Sequence, residues 1–377
     1  MKIICLQEKL KEAFSVTERI IGKNVNLPIL ANILIQVEKN HIQVCSTDLE
    51  LALLYSLPGK IEEEGKIAVP AKLISSFVSN LTAKKITLES KKYNVLVKTE
   101  DYKAQILGMN PEDFPIIPQI KKEFSFKVSA SLLVKQLEKV VKSVGTSEIR
   151  PEITGVLFKN NANDRLILAS TDSFRLSETS IPAKSIPSDL SFILPLKAVS
   201  ETLRIFGNIS DVDELTFSLE SKNQVLIEGG AVQLISRLID GEFPNYSVIV
   251  PQNFRFTATL PLKTLSSKIK AVSSFSARSN DLLLTFTKNK LELSARDASS
   301  GEGMAVLEIP PASFSQNAPS FEPLSIVFNW RFFLDGLESI DSDTVSIGIT
   351  SEVEPARIKS PTDDPSFFYV LMPIKGS

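Results

Sequence analysis

Three aspartates spaced almost evenly along 377 residues are the first candidates for chemistry. Asp48 closes the apolar stretch His41-Ile42-Gln43-Val44-Cys45-Ser46-Thr47, Asp172 closes Arg165-Leu166-Ile167-Leu168-Ala169-Ser170-Thr171, and Asp297 closes Lys290-Leu291-Glu292-Leu293-Ser294-Ala295-Arg296, at intervals of 124 and 125 residues. Gathered in one site, three carboxylates would suit metal or acid/base work. The regular interval points elsewhere: one carboxylate per copy of a repeated unit, each satisfying backbone groups in the turn after its strand.

Other catalytic signatures are lacking. The single histidine, His41, follows Asn40 at an expected hairpin tip, which leaves no triad, imidazole pair or His-rich metal site to build. There is no G-x-S-x-G, P-loop or G-x-G-x-x-G, and Gly229-Gly230 and Gly301-Glu302-Gly303 lack a strand-to-helix setting. Glu62-Glu63-Glu64 reads as a charged hairpin loop, and Asp363-Asp364 between Pro361 and Pro365 as a turn. Cys5 and Cys45 each fall inside an apolar strand pattern and read as small buried hydrophobes. No catalytic residue, metal or cofactor is expected.

The elements around the aspartates keep the same period. Pro70 and Pro195, 125 residues apart, open helices, and Asn329 replaces proline in the third copy as an N-cap. Asp113-Phe114-Pro115 and Glu242-Phe243-Pro244 each lead into an extended, proline-bearing linker, near 115–124 and 244–254. Three domains follow: 1–122, 123–252 and 253–377. Hydrophobic content of 43% is enough for real cores at roughly 100 to 200 residues per domain. No apolar run approaches the roughly 18 residues that span a bilayer, and the N-terminus lacks a signal-peptide pattern, so a cytoplasmic protein is expected.

Each unit alternates periods of about 2 and about 3.6, which predicts an α+β fold with two amphipathic helices on antiparallel sheets per domain. The first-helix stripes are Leu6, Leu10, Ala13, Phe14 and Ile21; Leu133, Leu137, Val140, Val141 and Val144; and Leu262, Leu265, Ile269 and Val272. The second are Leu73, Ile74, Phe77, Val78 and Leu81; Val199, Leu203 and Phe206; and Phe333, Leu337 and Ile340. The six spans carry a net +6 although the whole chain is −2, so positive charge is concentrated on the helices.

Five segments, in order and spread over all three units, carry a resemblance: Leu27-Pro28-Ile29-Leu30-Ala31-Asn32-Ile33-Leu34, Ser46-Thr47-Asp48-Leu49-Glu50, Thr171-Asp172-Ser173-Phe174-Arg175-Leu176, Ile239-Asp240-Gly241-Glu242-Phe243-Pro244-Asn245-Tyr246 and Tyr369-Val370-Leu371-Met372-Pro373-Ile374. Together they resemble the bacterial sliding clamps, the β subunits of DNA polymerase III. The resemblance implies a DNA-clamp fold and a head-to-tail homodimer, a pseudo-sixfold ring with helices lining the hole. It implies a processivity factor that slides on duplex DNA without reading sequence. It also implies a groove between the second and third domains that tethers the polymerase catalytic subunit, the clamp loader, other polymerases and repair proteins through short peptides.

Carried over by motif, the groove comprises Arg150, Ile153, Thr171, Ser173, Phe174, Arg175, Leu176, Pro244, Ile249, Val353, Pro355, Val370, Leu371, Met372, Pro373 and Ile374, with aliphatic groups receiving Leu and Phe anchors and the arginines donating at the rim. DNA-facing candidates are Lys23, Lys135, Lys139, Lys142, Lys197, Arg204, Lys263, Lys268 and Lys270. The dimer edges are expected at Lys103, Ala104 and Ile106 on one side and at Ala271, Val272 and Phe275 on the other. Phe174 stands where relatives often have histidine and Val248 where some have arginine, which implies a more apolar peptide. Asn24 stands where an arginine is often found. Two rival readings are an enzyme using Asp48, Asp172 and Asp297, and a monomeric peptide-binding scaffold without a DNA role.

Overall fold

The computed structural model describes residues 1–22, 26–147, 149–161, 164–209, 211–220, 223–276, 278–316, 322–361 and 367–374. Lys23, Asn24 and Asp363-Asp364 lie outside the described residues. The chain forms two compact units, one of Met1–Ser131, Ala183–Pro187 and Ser200–Leu238, the other of Leu132–Pro182, Ser188–Val199 and Ile239–Ser377. The cut passes through the second repeat, because its strands divide between two large sheets.

In the first unit, the strands Gly65–Pro70, Asn32–Glu38, His41–Thr47 and Leu51–Ser56 pair in that order, and Leu51–Ser56 continues into Val232–Arg237, Gln224–Gly229, Glu214–Glu220 and Phe124–Ser129. In the second unit, Ser191–Pro195, Gly155–Asn161, Arg165–Thr171 and Arg175–Lys184 continue into Phe367–Leu371, Ala356–Lys359, Thr344–Ile349 and Phe256–Pro261. Both sheets obey one rule: the last strand of a repeat pairs antiparallel with the strand that follows the aspartate turn of the repeat before it. Ser236 opposes Leu51 at one joint, and Leu371 opposes Arg175 at the other.

Among the described residues, two strands lack such a partner. Lys103–Leu107, last in the first repeat, ends the sheet Lys60–Glu63, Lys2–Leu6, Lys85–Lys91, Asn94–Lys98, Lys103–Leu107. Gly301–Glu308, which follows the Asp297 turn, ends the sheet Gly301–Glu308, Lys290–Asp297, Asp281–Phe286, Leu324–Asn329.

Six α-helices stand among the described residues: α1 Gln7–Thr17, α2 Ala71–Ser79, α3 Ala130–Val140, α4 Leu196–Phe206, α5 Leu262–Val272 and α6 Trp330–Leu337. Each buries one stripe. In α1 it is Leu10, Ala13, Phe14 and Thr17, spaced i, i+3, i+4, i+7, and burying a side chain such as Leu10 or Phe14 is worth about 2 to 3 kcal/mol. Leu133, Leu137 and Val140, then Leu265, Ile269 and Val272, are the matching stripes of α3 and α5. Two expected stripe residues face outward: Leu6 belongs to the strand before α1, where side chains alternate, and Leu73 points off the core face of α2. Pro70 and Pro195 are the last residues of strands and immediately precede α2 and α4. Asn329 caps α6 as expected, its side chain accepting from the backbone N–H of Arg331 at 3.0 Å and Phe332 at 3.4 Å.

Each aspartate closes its own turn. Asp48 Oδ1 accepts from the N–H of Glu50 and Leu51, Asp172 Oδ1 from Phe174 and Arg175, and Asp297 Oδ1 from Ser299 and Ser300, all between 2.8 and 3.0 Å. Their turn duty answers for all three carboxylates. His41 is exposed at the start of its strand after a tight turn, and both cysteines are free and buried. Burial pushes the Cys5 and Cys45 thiols up to about 12, which keeps them in the thiol form near neutral pH.

Candidate peptide groove and basic helix faces

The groove residues assemble within the second unit, around the joint of Arg175–Lys184 with Phe367–Leu371. Thr171 Oγ1 donates to the Arg175 carbonyl at 2.7 Å and accepts from Ser173 N–H at 3.1 Å, which bends the chain so that Ser173 takes a φ of +76° and Phe174 is thrust outward, 63% exposed. Met372 N–H donates to the Phe174 carbonyl at 2.9 Å, bringing the C-terminal segment alongside this turn. Ile374 N–H donates to Val327 at 2.8 Å and holds the segment beyond it.

Across from them lies an open cavity of about 500 Å³ lined by Val248, Ile249, Val250, Pro251, Pro355 and Met372 together with polar neighbours. Val248 is 79% exposed, and Val353, Ile249 and Phe174 are also exposed apolar groups. A contiguous exposed apolar patch is a candidate interaction site, whereas one exposed apolar side chain alone is ordinary.

The expected set divides in two. Phe174, Pro244, Ile249, Val353, Pro355 and Met372 are accessible and can touch a ligand. Ile153, Thr171, Leu176, Val370, Leu371 and Pro373 are buried and form the floor that holds them, a correction to their reading as wall. Leu176 is buried opposite Val370 in the ladder, and Tyr369, Val370 and Leu371 are buried in succession, so this end of the strand is covered on both faces. Val248 lines this cavity beside Ile249 and was named in the sequence only as a departure; the clue was an apolar residue next to Ile249 just past the linker proline.

The two arginines also differ. Arg150 is at the rim, its Nη1 donating to Ser173 Oγ at 3.0 Å and its Nε to Glu152 Oε1 at 3.0 Å. Arg175 is not a rim donor: its Nε bonds Asp172 at 2.8 Å, its Nη1 bonds Asp335 at 2.5 Å, and its guanidinium stacks 4.1 Å from the Phe332 ring centroid. Burial works against its charge, but Tyr369, Asp335 and Asp172 outweigh it and hold the guanidinium above its ordinary range. Arg175 therefore ties the turn to α6.

Beneath the groove, Glu178 is hydrogen bonded to Tyr246, whose ring meets Phe243 edge-on at 5.9 Å between centroids. Burial raises the Glu178 carboxyl above the usual range, partly offset by the Tyr246 hydroxyl and by Lys159.

The basic candidates are not equally available. Lys135 and Lys139 both bond Asp341 at 2.9 Å, Lys142 lies 3.6 Å from Glu338 and Lys270 3.2 Å from Glu338. Lys139 is the most enclosed, its side chain 12% exposed and its ammonium 5.3 Å from the Phe367 ring centroid. Arg204 is exposed and pairs with Glu201 at 2.9 Å; Lys197 and Lys263 are exposed and Lys268 is half-buried.

At the expected edges, Lys103 is exposed, Ala104 half-buried and Ile106 buried, with Leu107 68% exposed at the strand end. Ala271 is exposed and Val272 buried at the end of α5. Phe275 packs so closely on Gly303 that a Cβ there would stand 2.3 Å from its ring. The strand Gly301–Glu308, with Met304 outward, was missed in the sequence as an edge; the signal was its place directly after the Asp297 turn. Among the described residues, no three of His, Cys, Asp and Glu are placed to hold a metal, and no helix is long and apolar enough to cross a membrane.

Three family models match in chain order: the DNA polymerase III beta subunit N-terminal domain over residues 1–118, its central domain over 127–245 and its C-terminal domain over 247–375. The beta sliding clamp of Synechococcus elongatus is 27% identical, with 100% of this chain and 99% of that protein covered. That of Chlamydia pneumoniae is 28% identical with the same coverage. Among solved structures, a DnaN sliding clamp from Bartonella birtlesii bound to griselimycin is similar at a TM-score of 0.90 and 27% identity, with both chains covered 100%. The sliding clamp of Bacillus subtilis matches in fold at a TM-score of 0.92 and 22% identity over the whole of both chains. With three repeats of one α+β design matched end to end by three models of one subunit, this chain belongs to the DNA polymerase III beta-subunit family, the bacterial sliding clamps.

Proposed function

We propose that this protein is a cytoplasmic, non-catalytic processivity factor: two copies close head to tail around duplex DNA, and the groove at Met372 tethers the replicative polymerase and other peptide-bearing partners. The observation that carries the ring is the strand rule. The last strands of the second and third repeats each pair with the strand after the preceding aspartate turn, and among the described residues the rule leaves Lys103–Leu107 of the first repeat and Gly301–Glu308 of the third to be matched by a second copy. Pairing them repeats a heterologous contact twice and closes it, which also covers two exposed edges. Continuing the register of the internal joints sets Leu107 opposite Ser300 and Lys103 opposite Met304.

A closed ring holds DNA by topology, so its contacts can stay weak enough to slide. In the Lys103→Cys, Met304→Cys double variant, oxidation is expected to link two chains into a covalently closed ring retained on circular plasmid DNA through high salt and released when the plasmid is cut. A dimer that dissociates with equal ease oxidised and reduced would refute this pairing, and loss from circular and linear DNA at the same rate would refute encirclement.

A further inference from the structure

Four lysines on the basic face already hold anions. Asp341 sits between Lys135 and Lys139, one turn apart on α3 and each at 2.9 Å. Glu338 sits between Lys142, just past α3, and Lys270, at the end of α5. Glu338 is the C-cap residue of α6 and Asp341 lies just beyond, an end where the helix dipole disfavours negative charge, so the four ammonium groups are what offset their placement. Hydrogen bonding from Lys135, opposed by some desolvation and aided by Lys139, holds the Asp341 carboxyl below the usual range. Beside this pair opens a cavity of about 470 Å³ lined by Lys135, Lys139, Arg165 and Asp341, wide enough for a phosphate group.

We propose that Glu338 and Asp341 are built-in competitors for the DNA backbone, carboxylates that a phosphate must displace before it gains these lysines. This rests on the reading of the protein as a clamp on duplex DNA and says how loosely it holds. A phosphate that meets a free lysine gains a charge-assisted bond and releases a condensed cation. One that meets Lys135 or Lys139 must also strip away Asp341, so the gain is small and the contact easily abandoned. Four of the nine basic candidates are restrained in this way, which keeps friction low without removing the positive field that attracts DNA.

The test is salt-dependent binding of the full-length protein to a fluorescent duplex of about 30 base pairs, followed by anisotropy. Asp341→Asn is expected to bind roughly three- to tenfold tighter than wild type at moderate salt, with the slope of log affinity against log salt steeper by about one to two, because up to two more phosphates are engaged. Adding Glu338→Gln should steepen it again. The control is Asp343→Asn, which makes the same charge change two residues away at an exposed carboxylate with no ion pair to lysine among the described residues. Equal tightening in Asp341→Asn and Asp343→Asn would overturn the proposal in favour of bulk charge, and unchanged affinity in Asp341→Asn, with a wild type that holds circular DNA, would overturn it outright. If neither wild type nor variant holds circular DNA, the clamp reading falls first and this one with it. All three exchanged residues are exposed, and thermal melting identifies any variant that has lost its fold.

Discussion

Where the last strand of one repeat meets the strand after its predecessor's aspartate turn, the first unit presents Leu49, Glu50, Leu54, Ile117 and Arg237, and the second presents Ser173, Phe174, Glu178, Tyr246 and Met372. The backbones are near copies. Leu49 and Ser173 have φ of +82° and +76°; Thr47 and Thr171 each donate at 2.7 Å to the carbonyl four residues on; Arg237 N–H reaches the Glu50 carbonyl at 3.1 Å as Met372 N–H reaches Phe174 at 2.9 Å. Even the linkers arrive alike, with Pro115-Ile116-Ile117-Pro118 beside a cavity of about 370 Å³ in the first unit. The side chains that finish each site differ. A peptide that buries Leu and Phe anchors gains from Phe174, Val248 and Met372, whereas Glu50 and Arg237 would have to be desolvated in return. Repetition has copied the frame, and a few substitutions set the chemistry of the two surfaces apart.

The sharpest break in this comparison comes at equivalent positions. Met372→Asp places a charge at the centre of the apolar wall and is expected to weaken binding of a labelled Gln-Leu-x-Leu-Phe peptide at least about a hundredfold, while the dimer stays intact. Glu50→Ala with Arg237→Ala, at the corresponding places of the first unit, is expected to change it by less than about twofold, within the usual reach of a surface substitution. Anisotropy titrations of the two proteins decide the matter. If the second variant loses peptide as well, the first unit contributes a binding site; if Met372→Asp also abolishes dimerisation, Met372 is a core residue rather than a contact.

A second difference lies at Leu51 and Arg175, which follow their aspartates by the same three residues. Leu51 is an ordinary core side chain, whereas Arg175 bridges Asp172 and Asp335 over the Phe332 ring. Arg175→Met removes one partner from a largely enclosed cluster and leaves two carboxylates facing each other, an expected loss of about 2 kcal/mol after allowance for the partial exposure of Asp335. Leu51→Met conserves volume and is expected to cost less than about 1.5 kcal/mol. Urea midpoints for the two variants measure the gap, and equal shifts would remove the structural role assigned to Arg175.

The contrast also explains what could be read in the sequence. Repeat spacing, stripes such as Leu133, Leu137 and Val140, and the turn role of Asp48, Asp172 and Asp297 were legible because each depends on local periodicity or on bonds a few residues apart. Whether Leu176 or Met372 is covered depends on how the joined strands and the segment beyond Leu371 pack, and a family motif spans floor and wall alike. The fate of Arg175 depended on Asp335, 160 residues away. Helix charge was incomplete for a related reason: a sum over helices cannot reveal that Glu338 and Asp341 sit against four of the lysines it added. Sequence distance hides such pairings, since they form between helices that tertiary packing alone brings together.

The smallest of these effects concerns Leu54 and Glu178, which occupy the same place in the two strands. Leu54 packs on Ile117 among aliphatic neighbours, whereas Glu178 meets Tyr246 through a hydrogen bond. Burial is the larger influence on Glu178 and raises its carboxyl above the unfolded value of about 4.3, so the folded protein binds this proton more tightly than the unfolded chain does. Stability from this residue is therefore greatest at low pH and falls as pH rises from about 4 through the raised folded value, then levels off. Glu178→Gln keeps an acceptor for Tyr246 and removes the ionisation. It is expected to be stabilising at pH 7.5 by up to about 1 kcal/mol and to lose that advantage near pH 4. Leu54→Val, by contrast, should cost about 1 kcal/mol equally at both pH values, since it only removes a methylene from a packed contact. Denaturation midpoints of both variants at pH 4 and 7.5 separate the two linker anchors: a pH-independent effect of Glu178→Gln would mean that the carboxylate is well solvated and that the second linker is held, like the first, by packing alone.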